Sequence, residues 1–352
     1  MHHKIRSENR RNDEMPNILD RYRKLIEVHL PQDIPEDGAE IYHMLRYCMG
    51  WSDQYGNPTN KTVGKLLRPS LCLFTCESVS SSVDKALPAA VTLELIHNFS
   101  LIHDEIQDFD EKRHHRPTLW TLWGIPRSLV AGDVLKIIAE SSLERMLHIE
   151  SAESSIKCLS LVTEACLEMI EGQYLDMSFE QTEFVSTAEY LDMISRKTGA
   201  LIQSSMQLGA LVATEDQKTA ELFGECGRLL GLAFQVRDDY LGVWGDPNVF
   251  GKPVGSDIKR RKKALPAVYA LQEVYGQDLN TLRSIYASSV VGDDEVQTVM
   301  DIMETVGTAT YVQETASTYA YEALEPLSEL DLSPTDFSLV QNIAEFFAKR
   351  SR

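Results

Sequence analysis

The feature that most constrains this chain is a long internal stretch without proline, which runs from Arg127 to Asp246. Proline removes a backbone donor and its ring clashes with the preceding turn, so a stretch without it favours long helices. Apolar residues recur at helical spacing at 155–176 and 222–244, whereas the period-two alternation typical of strands is scarce. The sequence therefore predicts an all-α fold. Loops are expected where proline and glycine cluster, at 56–69, 117–126 and 245–255.

The composition is that of a globular protein. With 352 residues, 43% of them apolar, the chain can bury a core without disulfides or structural metals. The six cysteines form no CxxC pair and no zinc spacing, which favours reduced thiols in a cytoplasmic protein. No stretch approaches the roughly 18 apolar residues of a membrane span. Residues 1–15 are charged and lack the apolar segment of a secretory signal, so we expect a mobile tail there and a single domain over residues 16–352.

The net charge of −19 limits the classes of ligand. A strongly acidic chain repels phosphate backbones, so nucleic-acid binding is disfavoured. If such a protein handles anionic substrates, it must carry local positive charge or bound metal. Three clusters in the sequence meet that condition.

The first cluster is HNFSLIHDEIQDFDEKRHHRPT, at 97–118. On a helix that turns 100° per residue, Asp104 and Asp108 lie one turn apart on one face, with His97 two turns earlier on nearly the same line. Two carboxylates so placed repel each other unless a cation lies between them. Mg²⁺ binds in this way, through carboxylates, waters and substrate phosphates. Arg113 follows, as a diphosphate partner would, although a solvated charged helix end explains DExxD alone equally well.

The second cluster begins where Asp238 and Asp239 end an apolar helix, with Gln235 one turn earlier. A loop rich in proline and glycine follows and contains Lys252. The next segment, 259–263, consists of five basic residues. In isolation such a run indicates a solvated loop or a nuclear-import patch. Beside an aspartate pair in an acidic protein, it is better explained as the local positive charge that an anionic substrate needs.

The third cluster is GKLLRP, at 64–69. Lys65 and Arg68 lie three residues apart at the expected start of a helix, and Pro69 sets the turn. A helix N-terminus with two cations is an anion site. The pattern is weak alone and gains weight beside the other two clusters.

Together these clusters resemble the polyprenyl synthetase family of trans-isoprenyl diphosphate synthases. The order GKxxRP, a histidine seven residues before an aspartate-rich motif, RPT, GQxxD, KT, FQxxDD and GKP extends roughly from Gly64 to Pro266. The resemblance implies the all-α isoprenoid synthase fold, with long helices around a central cavity, and a homodimer. It implies Mg²⁺-dependent condensation of isopentenyl diphosphate with an allylic diphosphate, with three Mg²⁺ ions bound.

The resemblance also implies roles for the residues that match the family motifs. Metal binding falls to Asp104, Asp108 and Asp238, with Asp239 in support of Asp238. The allylic diphosphate would contact Arg113, Lys197 and Lys252, and the developing cation would contact Thr198 and Gln235. The isopentenyl diphosphate site would contain Lys65, Arg68, His97 and His114. Gln173 and Asp176 of the GQYLD segment would face the cavity.

The sequence departs from the family pattern at three positions. Glu105 stands where a second aspartate is usual, and Gly242 replaces the third aspartate of the second motif. The usual arginine pair is Arg113–His114, and histidine is less reliably charged at pH 7 than arginine. These departures favour the closest alternative, a class I terpene cyclase on the same fold, which would ionise a prenyl diphosphate without isopentenyl diphosphate. The intact isopentenyl diphosphate residues named above oppose it.

Other interpretations have less support. The pair His103–Asp104 resembles the ligands of all-α metal phosphohydrolases, but the chain lacks further histidines in matching motifs. A non-catalytic partner subunit is disfavoured because the aspartate motifs and Lys197 remain. An α-solenoid scaffold is disfavoured because the chain shows no repeat of about 30–45 residues.

The resemblance also bears on product length. The motif DEIQD contains no insertion, and in the family a bulky residue five positions earlier, here Phe99, often forms the floor beneath the growing chain. The small neighbour Ser100 leaves the nearest turn open, a combination that implies a C20 product, with C15 as second choice. An ideal helix places Phe99 about 140° from Asp104, so its ring must swing toward the cavity to act as a floor.

Overall fold

The computed structural model describes residues 17–59, 64–148, 151–250 and 253–351. The predicted tail at residues 1–15 and the predicted diphosphate ligand Lys252 lie outside these ranges. The first helices along the chain are α1 (Asn17–Asp20), α2 (Arg23–His29), α3 (Glu40–Cys48), α4 (Leu67–Ser80), α5 (Leu87–Gln107), α6 (Leu119–Trp123) and α7 (Ile125–Glu144). The later helices are α8 (Ala152–Gln181), α9 (Thr187–Ile194), α10 (Ala200–Thr214), α11 (Gln217–Trp244), α12 (Pro247–Phe250), α13 (Ser256–Lys259), α14 (Leu265–Glu273), α15 (Gly276–Ala287), α16 (Asp293–Thr305), α17 (Thr308–Glu322) and α18 (Pro334–Lys349).

Short elements join these helices. In the described residues the strands are confined to a hairpin of β1 (Lys112–Arg113) and β2 (Arg116–Pro117), which pair antiparallel. One π-helical turn, the π segment (Ser195–Gly199), separates α9 from α10. Short 3₁₀ turns lie at Leu30–Asp33, Asp84–Ala86, Arg145–His148 and Pro326–Glu329. The all-α prediction is therefore confirmed, and the proline-free stretch forms the long helices expected of it.

Contacts divide the chain into two compact units. The first unit contains Asn17–Leu167 and Ser204–Gly224. The second unit contains, among the described residues, 168–203 and 225–351. Each unit has its own buried core.

The first unit is built around α5, which packs mainly along α7 and α4. Every residue from Pro88 to Ile96 is buried, so this half of the helix is enclosed on all sides. The buried Thr92 hydroxyl donates to the Ala139 carbonyl of α7 at 3.1 Å. In the last turns the burial becomes one-sided, so Asp108 is exposed and Asp104 half-buried. The aspartate motif therefore lies at the accessible end of a rigidly held helix.

The second unit contains two apolar clusters that meet along α11. One cluster joins Val243 at the end of α11 to Ile258 of α13 and Val299 of α16. The other joins Val236 of α11 to Tyr190 of α9, together with residues of α14 and α17. The last turns of α11, which carry the second aspartate motif, are thus fixed by packing on two sides.

Two of the predicted loops were wrong in part. The segment 117–126 contains α6, because Leu119 is buried and the Trp120 indole nitrogen donates to the Asp110 carbonyl at 2.9 Å. This helix ends at Gly124, whose φ of +80° favours glycine. The predicted loop at 245–255 likewise contains the short helix α12. Among the described residues, no helix combines the length and apolar character that crossing a membrane would require.

Candidate active site

The first aspartate motif of the sequence lies at the end of α5. The Asp108 backbone nitrogen donates to the Asp104 carbonyl at 2.8 Å, so the helical geometry that puts both side chains on one face is intact. Glu105, between them, is turned inward and buried. Its carboxylate lies 3.8 Å from Arg113 Nε. Burial raises the pKa of Glu105 to about 7, with the Arg113 charge opposing and nearby aspartates adding to the shift.

A cationic cluster forms beside this motif from residues that are far apart in the sequence. Arg68 lies in the first turn of α4, and its Nε is buried without a hydrogen-bond partner among the described residues. Burial lowers the pKa of Arg68 to about 10, while Glu94 and Asp104 oppose the shift and Arg113 adds to it. Burial also holds the pKa of His97 well below its ordinary value, with Arg68 and Arg113 lowering it further. His97 is therefore a neutral hydrogen-bonding group at neutral pH.

The hairpin between β1 and β2 supplies the remaining members of this cluster. His114 and His115 form its two-residue turn, and both have positive φ, at 48° and 62°. This is the backbone of a type I′ turn, which suits the right-handed twist of a hairpin. Burial lowers the pKa of His114, as do the charges of Arg113, His115 and Lys65. The structure thus brings Lys65, Arg68, His97, Arg113 and His114 together.

The second aspartate motif lies at the end of α11 in the second unit. Asp238 accepts a hydrogen bond from Arg350 Nη2 at 2.5 Å. Asp239 is buried and accepts from the Tyr190 hydroxyl at 2.6 Å and the Gln235 amide at 3.1 Å. Burial raises the pKa of Asp239 to about 6, although its donors and Lys262 oppose the shift. Asp239 thus faces inward, and Asp238 is the more accessible carboxylate.

The predicted catalytic pair Lys197 and Thr198 lies in the π segment. Lys197 Nζ donates to Asp176 Oδ2 at 2.5 Å, and the Thr198 hydroxyl donates to Gln235 Oε1 at 2.8 Å. A widened helical turn of this kind is frequent at functional sites. Gly172 of α8 allows the π segment to pack closely against that helix, because a Cβ atom on residue 172 would lie 2.7 Å from the Lys197 Cα.

The sequence did not single out Gly172, although it stands directly before the predicted Gln173. Gln173 itself is buried on the next position of α8. The close approach of two backbones explains why glycine precedes it. The sequence marks Gly172 only as the first residue of the GQ motif. The packing of α8 against the π segment shows why this residue is glycine.

The basic side chains of the segment 259–263 have different partners in the structure. Lys259 pairs with Asp293 at 2.8 Å, and Lys263 donates to the Phe179 carbonyl at 2.8 Å. Lys262, by contrast, faces the aspartates. The protein atoms around Lys262 lower its pKa by desolvation, and four carboxylates outweigh this and raise it above the ordinary value, namely Asp239, Asp257, Asp176 and Asp238. One lysine of the run therefore supplies the local positive charge expected of the segment.

Comparisons with known proteins agree with the fold and these motifs. The sequence model of the polyprenyl synthetase family matches residues 51–303. The (2E,6E)-farnesyl diphosphate synthase of Mycobacterium tuberculosis is 35% identical over 312 residues, which cover 87% of this chain and 85% of that protein. The geranylgeranyl diphosphate synthase of Methanosarcina mazei is 32% identical over 339 residues, which cover 96% and 97%. A polyprenyl synthetase structure from Streptomyces coelicolor has a TM-score of 0.87 and 32% identity, over 95% and 99% of the two chains.

These findings define the class of protein. The all-α architecture is the isoprenoid synthase fold, and the family model spans the whole segment from Gly64 to Pro266 that carries the motifs. The chain belongs to the polyprenyl synthetase family.

Proposed function

We propose that this chain is a Mg²⁺-dependent prenyltransferase that joins isopentenyl diphosphate to an allylic diphosphate, with a C20 product and C15 as second choice. The observation that carries the proposal is the cationic cluster of the first unit. There the buried Nε atoms of Arg68 and Arg113 have no hydrogen-bond partner among the described residues. A diphosphate would supply the acceptors that these donors lack. The names of the two synthases above support C15 and C20 products.

The residues present fit Mg²⁺. Asp104 and Asp108 place two carboxylates on one accessible helix face, and Asp238 already attracts a cationic guanidinium. Within the described ranges, no group of three or more histidine, cysteine or acidic side chains could hold a metal by itself. Mg²⁺ suits such a site, because it keeps several waters and takes further ligands from substrate phosphates. We assign its binding to Asp104, Asp108 and Asp238, with three ions expected when substrate is bound.

The chain's own groups would then favour departure of the allylic diphosphate. Mg²⁺, when bound, supplies Lewis-acid neutralisation of the charge that develops on the leaving group. Lys197, held by Asp176 at 2.5 Å, is fixed in position to contact that diphosphate. Lys252 and Arg113 would share this role. The released diphosphate can remove the final proton, so no strong protein base is required.

Gln235 has a defined orientation in this scheme. Its amide nitrogen donates to Asp239 and its oxygen accepts from the Thr198 hydroxyl. Exchanging the two ends of the amide would set its oxygen against the Asp239 carboxylate, which can only accept when ionised. The carbonyl dipole is therefore fixed before substrate binds. We assign Gln235 and Thr198 to the stabilisation of the allylic cation, which a fixed dipole achieves without reorganisation.

The alternative function is a terpene cyclase, which needs no site for isopentenyl diphosphate. The experiment incubates the protein with Mg²⁺ and an allylic diphosphate, with and without isopentenyl diphosphate. Elongated diphosphates that require isopentenyl diphosphate and disappear with EDTA would support the synthase. Hydrocarbons or alcohols formed without isopentenyl diphosphate would identify a cyclase and overturn the proposal.

We further propose that the protein is a homodimer. Large apolar side chains are exposed on α7 and α8, including Val130, Ile137, Ile156 and Leu167. Several large exposed apolar side chains on two long helices favour an interaction surface there. Ile137→Asp should convert the dimer to a monomer in light scattering, whereas Val28→Asp, at an exposed valine of α2, should leave the mass unchanged. A monomeric parent protein would contradict this proposal. We also propose a cytoplasmic location. No disulfide joins any of the six cysteines, all of which lie in the described residues, and such thiols are typical of that compartment.

A further inference from the structure

The last turns of α11 lack a carboxylate at the position where one would pair with Asp238. Residue 242 lies one turn after Asp238 on the same helix face, as Asp108 follows Asp104 on α5. A second carboxylate at this position would complete a pair of the kind seen at the end of α5. The residue is Gly242, which has no side chain to offer.

The space beside Gly242 is occupied by a carboxylate from elsewhere. A Cβ atom on Gly242 would overlap the side chain of Asp257, at 2.5 Å from its Cγ and 3.0 Å from its Oδ1. Asp257 belongs to α13, a separate short helix that follows the loop after α11. The glycine therefore leaves room for an acidic group that approaches from another element.

The position of Asp257 is fixed by its backbone neighbours. The Gly255 nitrogen donates to the Val243 carbonyl at 2.9 Å, and the Ser256 hydroxyl donates to the Gly242 carbonyl at 3.1 Å. Ile258, directly after Asp257, is buried in the same apolar cluster as Val243. These contacts tie α13 to the end of α11 on both sides of Asp257. Its carboxylate is thus held beside residue 242 by the fold.

Lys262 shows that this carboxylate and Asp238 belong to one electrostatic group. Its ammonium interacts with both of them, as well as with Asp239 and Asp176. Asp239 is committed to hydrogen bonds with Tyr190 and Gln235. Asp176 accepts from Lys197, so of the carboxylates in this group Asp257 is the one placed to act beside Asp238.

We propose that Asp257 supplies the second carboxylate of the metal locus at Asp238, in the place that Gly242 leaves open. The inference rests on the proposed function, because it adds a residue to the metal locus assigned there. Asp257 would orient the water shell of the ion or contact it directly. Removing such a positioning carboxylate costs about 10- to 100-fold in metal affinity.

The experiment measures the Mg²⁺ dependence of inorganic pyrophosphate binding by isothermal titration calorimetry. Asp257→Asn keeps the shape of the side chain, and we expect it to raise the Mg²⁺ concentration for half-maximal binding by about 10- to 100-fold. The double variant Gly242→Asp with Asp257→Ala moves the carboxylate onto α11 and should return this concentration close to the parent value. Asp293→Asn, at an exposed aspartate of the same unit, is the matched control and should behave as the parent does.

An Asp257→Asn variant with the parent's Mg²⁺ dependence would overturn the inference, even if the double variant does not fold. A double variant that folds and stays as defective as Asp257→Asn would also overturn it. The parent protein tests the proposed function separately through elongation of an allylic diphosphate. If the parent elongates and Asp257→Asn keeps the normal Mg²⁺ dependence, only the role of Asp257 is wrong.

Discussion

The two aspartate motifs of this protein are built differently. At the end of α5, Asp104 and Asp108 both come from one helix, and helical geometry alone places them together. At the end of α11, Asp238 is accompanied by Asp257 from α13 and by a cationic contact from Arg350. The first site is therefore specified locally, and the second depends on tertiary packing. Substitutions should accordingly damage the fold around the second site more than around the first.

The largest expected effect comes from removing one carboxylate of each site. Asp104→Ala and Asp238→Ala should each lower turnover by about 10²- to 10³-fold, because each removes stabilisation of the leaving diphosphate. Their stabilities should differ. Asp104→Ala relieves repulsion with Asp108, whereas Asp238→Ala removes the carboxylate that pairs with the buried Arg350 and should cost about 2 kcal/mol.

Turnover and urea unfolding of both variants check this contrast. Near-normal turnover in either variant would remove that aspartate from the metal site. Equal stability of the two variants would show that the ion pair of Arg350 contributes nothing to the fold.

The second test concerns the close contact between Gly172 and the backbone of Lys197, which positions that lysine. Gly172→Ala inserts a methyl group against the backbone of the π segment, and we expect a loss of about 1–3 kcal/mol in the free energy of unfolding, with reduced turnover. Gly199→Ala is the matched control, since its Cβ would have no neighbour nearer than 3.6 Å. If denaturation and kinetics showed equal tolerance of both substitutions, the close approach would not position Lys197.

The third test uses pH at the locally specified site. The pKa of Glu105 is raised to about 7 in the folded protein, so the folded state holds this proton more tightly than the unfolded state does. The free energy of unfolding should therefore fall as the pH rises from about 4.5 to 7, and then level off. Glu105→Gln should reduce this fall by about 2 kcal/mol between pH 5 and pH 8.

Urea unfolding at the two pH values measures the difference. Part of the slope should remain in Glu105→Gln, because burial also raises the pKa of Glu94 to about 7. The exposed Glu144→Gln should keep the parental slope. A parental slope in Glu105→Gln would mean that this carboxyl is ionised in the folded protein.

The fourth test separates the two substrates. Lys65→Ala should raise KM for isopentenyl diphosphate about tenfold, the value of one charge-assisted hydrogen bond, and change KM for the allylic diphosphate less. His114→Arg should act in the opposite direction, because it restores a permanent charge and a bidentate fork. Steady-state kinetics with each substrate varied in turn provides the measurement. Equal changes for both substrates would contradict the assignment of these residues to one site.

The substitution with the smallest expected effect on total rate is Phe99→Ala. It tests which residue limits the length of the product. Phe99 is buried and packs edge-on against His103, with ring centroids 4.9 Å apart. Phe99→Ala should shift the products beyond C20. Chain-length analysis of dephosphorylated products checks this, with Phe74→Ala, at another buried phenylalanine of the first unit, as the control for loss of packing. An unchanged profile would place the floor of the cavity on another residue.

The sequence predicted the local features of this protein well. The long helices followed from the absence of proline, and the pair Asp104–Asp108 followed from helical spacing. The hairpin turn at His114 and His115 was not predicted, since positive φ is uncommon for residues other than glycine and two histidines do not mark a turn as Asn-Gly would. The inward turn of Glu105 toward Arg113 likewise needed the structure.

What the sequence determined by itself was the set of interactions within about one helical turn, because backbone geometry alone fixes them. Only the tertiary structure decided which distant groups meet: Arg68 with Arg113, Gly172 with Lys197, and Asp257 with Gly242. These contacts depend on how helices pack, and packing is decided by the volumes of many side chains together. The sequence shows only that a carboxylate is missing at residue 242. The tertiary structure shows that Gly242 leaves space for the Asp257 carboxylate of α13.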